Sequence, residues 1–201
     1  MFCVSPVRDL VAFLSSAVRS PSVIGAVAPS GVALSDLLAS VAPATGRPVV
    51  VELGPGTGVV STALRRRLPE GARHIAVEID TGMVEHLQRT RPWLEVVQGD
   101  AMDLQKLLAD AGVDRVDAIV SGLPWTLFPE SAQRGILEQV TRVLGPDSTF
   151  TTFAYRHVTR LPTQQRFRAM LESMFDEVRR TPTVWRNLPP ALAYQCRRPR
   201  S

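Results

Sequence analysis

Short apolar runs that alternate with helical patterns constrain the fold of this chain more than any other feature of its sequence. The apolar runs lie at 48–53, 74–79, 94–98, 116–121 and 149–155. Helical patterns separate them at 59–68, 82–91, 104–111 and 131–144. Strands that are apolar along nearly their whole length and alternate with helices are typical of a parallel sheet covered on both faces. The sequence therefore predicts an α/β fold.

The two ends of the chain add further elements. After a helical pattern at 163–175, two strand candidates, EVRRTPTVW (177–185) and ALAYQCRR (191–198), follow each other with no helix between them. Consecutive strands of this kind pair antiparallel, so we expect a mostly parallel seven-stranded sheet that ends in an antiparallel hairpin. Two helical patterns, at 7–18 and 30–41, precede the first strand.

Length and composition predict one soluble domain. A chain of 201 residues with 45% hydrophobic and 21% charged residues fits a single globular unit over 1–201. We divide it into an N-terminal helical cap, lid or membrane segment (1–45) and a Rossmann-like core (46–201). No apolar run is long enough to span a bilayer, and Arg8 and Asp9 interrupt the apolar N-terminal region. We therefore expect a cytoplasmic protein; its oligomeric state stays open.

The segment 4–19 is amphipathic and has two interpretations. Its apolar stripe packs on the protein's own core, or it lies on an anionic membrane surface as a peripheral anchor at the inner face of the membrane. The polar face carries only Arg8 and Arg19, so the electrostatic share of membrane binding would be small.

The net charge of +4 comes from a chain in which Lys106 is the single lysine and every other basic residue is arginine. Arginine binds phosphate in a fork, which fits a nucleic acid, phospholipid or nucleotide partner; codon composition explains the surplus equally well. The cysteines and histidines have no metal-ligand spacing, so we predict no metal site. They are Cys3, Cys196, His74, His86 and His157.

The most specific motif is the glycine loop that follows the first buried strand. Glu52 is followed by Gly54, Gly56 and Gly58, and three glycines in five positions would weaken an ordinary strand or helix. Their presence indicates that something approaches the backbone there. The spacing differs from the dinucleotide fingerprint, because Val59 stands where the third glycine of that motif would be.

Three more strands end in a polar or turn group. Glu78 ends the second strand, Asp100 follows the third, and Ser121 begins the turn SGLPW after the fourth. Because the carboxyl ends of parallel strands share one edge of a sheet, these groups outline a cleft shaped for a nucleoside. Taken singly, Glu52 has the alternative role of a helix N-terminal charge, Glu78 of a solvated strand end, and Asp100 of a helix cap.

The series ELGPGTG, AVEID, QGDAMDL and VSGLPW resembles the class I S-adenosylmethionine-dependent methyltransferases. The resemblance implies that the three glycines let the backbone approach the methionine end of S-adenosylmethionine, with Glu52 as the acid of the first motif. It further implies that Glu78 and Ile79 hold the ribose, that Asp100 and Ala101 recognise adenine, and that Ser121 completes the cofactor site.

Other segments resemble the bacterial phospholipid N-methyltransferases, which convert phosphatidylethanolamine toward phosphatidylcholine. They are IGAVAPSGVAL (24–34), SGLPW, TFAYRH (152–157) and VWRNLPPALAYQCRR (184–198). This family is similar in fold to the ribosomal RNA adenine dimethyltransferases, in which an asparagine occupies the position of Gly122. The glycine weighs against a base substrate, so no nucleic acid partner is expected. The alternatives are a small secondary metabolite as substrate and, ranked lower, an RNA-binding protein.

Methyl transfer to an amine needs a neutral nitrogen aligned at near-contact distance more than it needs a strong base. We expect Trp125 and Tyr155 to form an aromatic wall around the amine, unless they fill the core. The backbone carbonyl of Leu123 is our candidate acceptor for an amine hydrogen, and Tyr155 or His157 is the candidate proton relay. Arg156, Arg160 and Arg186 are candidates for a phosphate clamp, or else form a solvated basic rim.

Overall fold

A computed structural model of the chain describes residues 31–200. Three predicted features lie wholly or mostly outside the described residues: the helix at 7–18, the membrane contact at 4–19 and the segment IGAVAPS. The assignment of 1–201 to one domain therefore stays a prediction.

In the part of the chain that the structure describes, seven strands form a single sheet in the order β3-β2-β1-β4-β5-β7-β6. The strands are β1 Val49–Leu53, β2 Arg73–Glu78, β3 Glu95–Gln98, β4 Val116–Ser121, β5 Leu144–Tyr155, β6 Phe175–Arg180 and β7 Ala191–Pro199. Neighbours from β3 to β5 are parallel, whereas β7 lies antiparallel between β5 and β6. The predicted mostly parallel sheet with an antiparallel C-terminal pair is confirmed.

Two strands have bounds that differ from the predicted ones. β5 begins directly after a helix, at Leu144 instead of 149, and its register with β4 shifts between Val116 and Ala118. β6 begins and ends earlier than the predicted 177–185. Beyond Arg180 the chain leaves the sheet through Pro182, whose missing N–H cannot join a ladder, and it returns only through a bridge from Val184 to Ala191.

Within residues 31–200, six α-helices cover the two faces of the sheet. They are α1 Val32–Ala39, α2 Val59–Arg67, α3 Thr81–Thr90, α4 Leu104–Asp110, α5 Glu130–Val143 and α6 Pro162–Met174. Short 3-10 turns lie at Ala101–Asp103, Trp125–Leu127 and Arg156–Val158. None of the helices within residues 31–200 is long and apolar enough to cross a bilayer.

Alternation along the strands divides the core into layers. Val51 and Leu53 of β1 join the larger cluster, which is completed by apolar residues of α4, α5 and α6. Val50 points to the opposite face and packs with α1 and α2, and α3 covers Ala76 on that same face. The five parallel strands β1 to β5 all end at the same edge of the sheet, so the loops that follow them lie along that edge.

Candidate active site

Each glycine of the loop after β1 adopts a left-handed backbone conformation, with φ of +66° at Gly54, +53° at Gly56 and +76° at Gly58. A Cβ atom at Gly54 would lie 2.7 Å from Leu123 Cδ2, and one at Gly58 would lie 2.5 Å from Arg91 Nε. At Gly56 a Cβ would meet nothing within 4 Å. The first and third glycines therefore make room for the protein's own side chains, and only Gly56 faces open space.

Backbone hydrogen bonds join the loops at the carboxyl edge of the sheet. The Gly54 N–H donates to Val77 O at 3.0 Å, and the Gly122 N–H donates to Leu53 O at 2.8 Å. On the other side of β2, the Gly99 N–H donates to Glu78 O at 2.9 Å. The ladders thus continue one residue past the strands, which holds the loops after β1, β3 and β4 beside one another.

Glu78 is the acid that the structure brings directly to the glycine loop. Its Oε2 accepts from the Gly56 N–H at 3.2 Å, and its Oε1 accepts from Ile79 N–H at 2.9 Å and Asp80 N–H at 3.0 Å. Burial raises the pKa of this carboxyl, and the three backbone donors offset part of that rise. Glu78 is therefore a buried, oriented acceptor and not a solvated strand end.

Glu52 is buried on the α1–α3 face of the sheet. Its Oε2 lies 3.0 Å from Nε2 of His74, a neighbouring side chain on β2. Its Oε1 is buried and has no hydrogen-bond partner among residues 31–200. A buried carboxylate oxygen without a donor is costly, so this atom is a candidate contact for a cationic or N–H group of a ligand.

Asp100 lies two residues beyond β3, which ends at Gln98. Its Oδ1 accepts from the Met102 N–H at 2.9 Å and caps the 3-10 turn that begins at Ala101. This contact is the capping role that the sequence left as an alternative. A carboxylate has two oxygens. The hydrogen bond to Oδ1 therefore also fixes the orientation of the second oxygen, Oδ2, of Asp100.

Ser121 and Trp125 are joined by a buried hydrogen bond within the turn after β4. The Ser121 Oγ accepts from Leu123 N–H at 3.3 Å and from the indole Nε1–H of Trp125 at 3.2 Å. Only 2% of Trp125 is exposed, and its ring stacks on Phe167 with centroids 4.9 Å apart. The structure therefore corrects the expectation of a pocket wall at Trp125, because its ring belongs to the core, the alternative noted above.

Gly122 explains why this turn carries no asparagine. A Cβ atom there would lie 2.7 Å from the carbonyl oxygen of Gly54, a backbone atom held by the sheet. Any side chain at this position would force the two loops apart. The carbonyl of the next residue, Leu123, already accepts from the Trp125 N–H at 3.0 Å, which leaves one of its lone pairs for a ligand.

Tyr155 and His157 are brought together at the end of β5. The Tyr155 ring is half-buried, meets Phe153 edge-on at 5.4 Å between centroids, and stacks with His157 at 5.9 Å. Burial raises the pKa of the Tyr155 phenol, so the hydroxyl stays protonated at neutral pH. Tyr155 can orient a polar group, and the imidazole of His157 beside it is exposed to solvent.

The three predicted phosphate ligands are exposed at the same edge of the sheet. The guanidinium carbon of Arg156 lies 5.1 Å from the ring centroid of Trp185. Within residues 31–200, Arg156, Arg160 and Arg186 form no ion pair. No acidic partner shared by the three side chains occurs among residues 31–200, so the structure does not show a preformed clamp.

Three residues near the site were missed at the sequence level. His74 pairs with Glu52, Arg91 covers Gly58, and the side-chain N–H₂ of Gln133 donates to the Trp125 and Phe128 carbonyls at 2.7 and 3.1 Å. Each contact depends on strand register or on helix docking. No local sequence signal marks them.

The remaining reactive groups stay outside the site. Burial raises the pKa of the Cys196 thiol far above neutral pH, so this residue acts as a core side chain. The described part of the chain holds no group of three side chains placed to bind a metal ion.

Comparison with known proteins identifies the class. Residues 50–147 match a family of methyltransferase domains. A crystal structure of an O-methyltransferase from Bacillus cereus in complex with S-adenosylhomocysteine superposes with a TM-score of 0.63 at 15% identity, covering 98% of this chain and 93% of that one. The fold and the glycine-loop site therefore define a class I S-adenosylmethionine-dependent methyltransferase.

Similarity to a second protein along nearly the whole chain shows the family to which the chain belongs. The ornithine lipid N-methyltransferase of Singulisphaera acidiphila is 36% identical over 194 residues, which cover 94% of this chain and 96% of that protein. The chain belongs to the same methyltransferase family as this enzyme. A shorter match, 34% identical over 85 residues, joins 41% of the chain to 28% of a probable ribosomal RNA small subunit methyltransferase A of Thermococcus onnurineus.

Proposed function

We propose that this protein transfers methyl groups from S-adenosylmethionine to the amine of a membrane lipid. The observation that carries the proposal is the similarity to a lipid N-methyltransferase along nearly the whole chain. The ribosomal RNA methyltransferase similarity, in contrast, spans less than half of the chain. Full-length similarity includes the segments at the ends of β5 and before β7, where an acceptor would enter.

The residues at the carboxyl edge fit S-adenosylmethionine. Gly56 leaves open space beside its backbone, so a ligand can approach there. The oriented carboxylate of Glu78 accepts three backbone hydrogen bonds and keeps about one of its four acceptor sites for a ribose hydroxyl. The second oxygen of Asp100 is available for an adenine amine. The unpartnered Oε1 of Glu52 would accept from the amino group of the methionine end, directly or through water.

S-adenosylmethionine would supply an electrophilic methyl group. The neutral amine nitrogen of the lipid would bond to that methyl carbon as the carbon–sulfur bond breaks, so S-adenosylhomocysteine would leave and the methylated nitrogen would release one proton. The free lone pair of the Leu123 carbonyl would accept one amine hydrogen and aim the nitrogen lone pair. The Tyr155 hydroxyl, protonated because burial raises its pKa, would hold the head group. His157, stacked on Tyr155, would take the released proton.

The turn after β4 argues against a nucleobase as the acceptor. Gly122 has no side chain to bond a base, and the Gly54 carbonyl leaves no room for one. The exposed arginines Arg156, Arg160 and Arg186 fit an anionic group of the lipid head, since guanidinium groups bind phosphate and carboxylate well. A small soluble amine is the competing substrate class.

The test is a transfer assay with labelled S-adenosylmethionine and vesicles. Vesicles contain phosphatidylethanolamine, an ornithine lipid, or phosphatidylcholine alone, whose quaternary nitrogen has no hydrogen to replace. We expect label in the first or second lipid and none in the third. Label only in added soluble amines, or in an RNA, would overturn the proposal while leaving the methyltransferase class intact.

A further inference from the structure

Exposed apolar side chains gather on one surface of the described structure. Among residues 31–200, five large hydrophobic residues are exposed. Trp185 and Leu188 lie on the loop before β7, Val32 follows Gly31, which is bonded to that loop, and Leu161 ends the segment after β5. We call this surface the Trp185 patch; it consists of Val32, Leu161, Trp185 and Leu188 with Arg156, Arg160 and Arg186. Trp185 is 68% exposed and Leu188 is 84% exposed, so neither contributes much to the core.

The loop that carries Trp185 and Leu188 is held in place by a buried amide. Asn187 Oδ1 accepts from the Gly31 N–H at 2.7 Å, and its Nδ2 donates to Pro189 O at 2.6 Å. Its backbone N–H also donates to Val184 O. Because Asn187 points inward, its neighbours on either side are directed to solvent. The exposure is therefore fixed by hydrogen bonds and does not come from an unanchored loop.

The patch lies at the edge of the sheet that holds the glycine loop. Tyr155, the last residue of the parallel strand β5, pairs with Ala191, the first residue of β7. The Arg156 N–H donates to Pro190 O at 2.8 Å. The segment after β5 and the loop before β7 therefore meet next to the entrance of the proposed active site.

The patch is basic as well as apolar. Arg156 lies over the Trp185 ring, and Arg160 and Arg186 are exposed without an ion pair in the described part of the chain. No aspartate or glutamate occurs between residues 148 and 171 or between 178 and 201. An unneutralised set of arginines around tryptophan and leucine attracts an anionic surface with an apolar layer beneath it.

We propose that the Trp185 patch seats the enzyme on the surface of an anionic phospholipid bilayer. Tryptophan is favoured at the level of lipid head groups, and arginine extends its charge toward lipid phosphates while its stem stays apolar. Leu188 would enter the acyl boundary. Gly31, the first residue that the structure describes, lies beside the patch, where its N–H donates to Asn187 Oδ1.

Vesicle binding without turnover tests the patch separately from the proposed function. The full chain is floated with vesicles of phosphatidylglycerol and phosphatidylcholine, and with phosphatidylcholine alone; neither lipid is a substrate in the proposal. We expect binding to the anionic vesicles, weakened by added salt. The double variant Trp185→Ala with Leu188→Ala should lower the partition coefficient by about tenfold or more.

The chain offers a matched control. Trp93 is 36% exposed, and the guanidinium carbon of Arg65 lies 5.5 Å from its ring centroid, a pair like Arg156 and Trp185 on another surface. Trp93→Ala should leave vesicle binding unchanged. Lipids brominated on the acyl chain should quench fluorescence in wild type and in Trp93→Phe, and the quenched component should disappear in Trp185→Phe.

Four results would overturn the proposal. The first is equal vesicle binding by the double variant and wild type, and the second is quenching that persists in Trp185→Phe. The third is shielding of Trp185 from acrylamide before vesicles are added. The fourth is a dimer of the wild-type chain that becomes a monomer in the double variant. The third would assign the patch to residues 1–30, and the fourth to a second copy of the chain. Turnover of a short-chain soluble aminolipid by the double variant shows that loss of vesicle binding is not loss of folding.

Discussion

Gly56→Ala separates the two reasons for which a glycine is needed in the loop after β1. Gly56 has φ of +53°, and a Cβ there would meet no protein atom within 4 Å. The added methyl group therefore strains the backbone without a clash inside the protein. If the open space beside Gly56 is where S-adenosylmethionine approaches, the same methyl group also enters the ligand's volume.

The two effects have different sizes. A left-handed conformation costs a residue with a Cβ about 1–2 kcal/mol, which lowers the midpoint of thermal unfolding by about 2–8 °C for a domain of this size. Intruding on the bound ligand should cost about 1–3 kcal/mol more, as overpacking does in a core. This corresponds to a rise of about 5- to 150-fold in the dissociation constant for the cofactor.

Gly46→Ala is the matched control, since Gly46 has φ of +79° and equally open surroundings in the turn before β1, at the opposite end of that strand. Calorimetry should show similar losses of stability for both variants and weaker cofactor binding for Gly56→Ala alone. Equal dissociation constants for Gly56→Ala, Gly46→Ala and wild type would refute the placement of the ligand.

Three further predictions concern the neighbouring groups. Burial raises the pKa of Glu78, so between the ordinary carboxyl pKa and this raised pKa the folded protein holds a proton on Glu78 that the unfolded chain has lost. The free energy of unfolding should therefore fall as pH rises through this range. Urea unfolding across a pH series should show this slope in wild type and not in Glu78→Gln. Ser121→Ala removes the acceptor of the buried Trp125 indole N–H and should lower the free energy of unfolding by about 1–3 kcal/mol in denaturant titrations. Gly122→Asn should weaken cofactor binding, measured by calorimetry, without creating methylation of RNA adenine, because its Cβ would press on the Gly54 carbonyl; tight binding in this variant would contradict the packing described.

The sheet was predictable from sequence because β1, β2 and β4 are buried along nearly their whole length and each parallel strand carries its own apolar run. The ends of these strands were predictable for the same reason, and their positions placed Glu78 and the glycine loop at one edge of the sheet. The position of β7 between β5 and β6 has no local signal, since it depends on which edges pair. The shift of β6 to Phe175–Arg180 likewise reflects pairing with β7 and the exit at Pro182.

The side-chain directions at the site could not be predicted from the sequence for a similar reason. The sequence places Trp125 after β4 but does not show that Ser121 turns its indole inward to Phe167. It marks the glycines as a place of close approach, while only tertiary contacts show that Leu123 and Arg91 fill two of the three positions. Side-chain direction in loops is set by partners that are distant along the chain.

Mass spectrometry of lipids after incubation with deuterated-methyl S-adenosylmethionine tests the central claim most directly. Vesicles should contain phosphatidylethanolamine and an ornithine lipid together with anionic phosphatidylglycerol. The account predicts deuterated methyl groups on the nitrogen of an aminolipid, in amounts that grow with enzyme and time. A folded protein that binds the cofactor and leaves every lipid nitrogen unlabelled would contradict it.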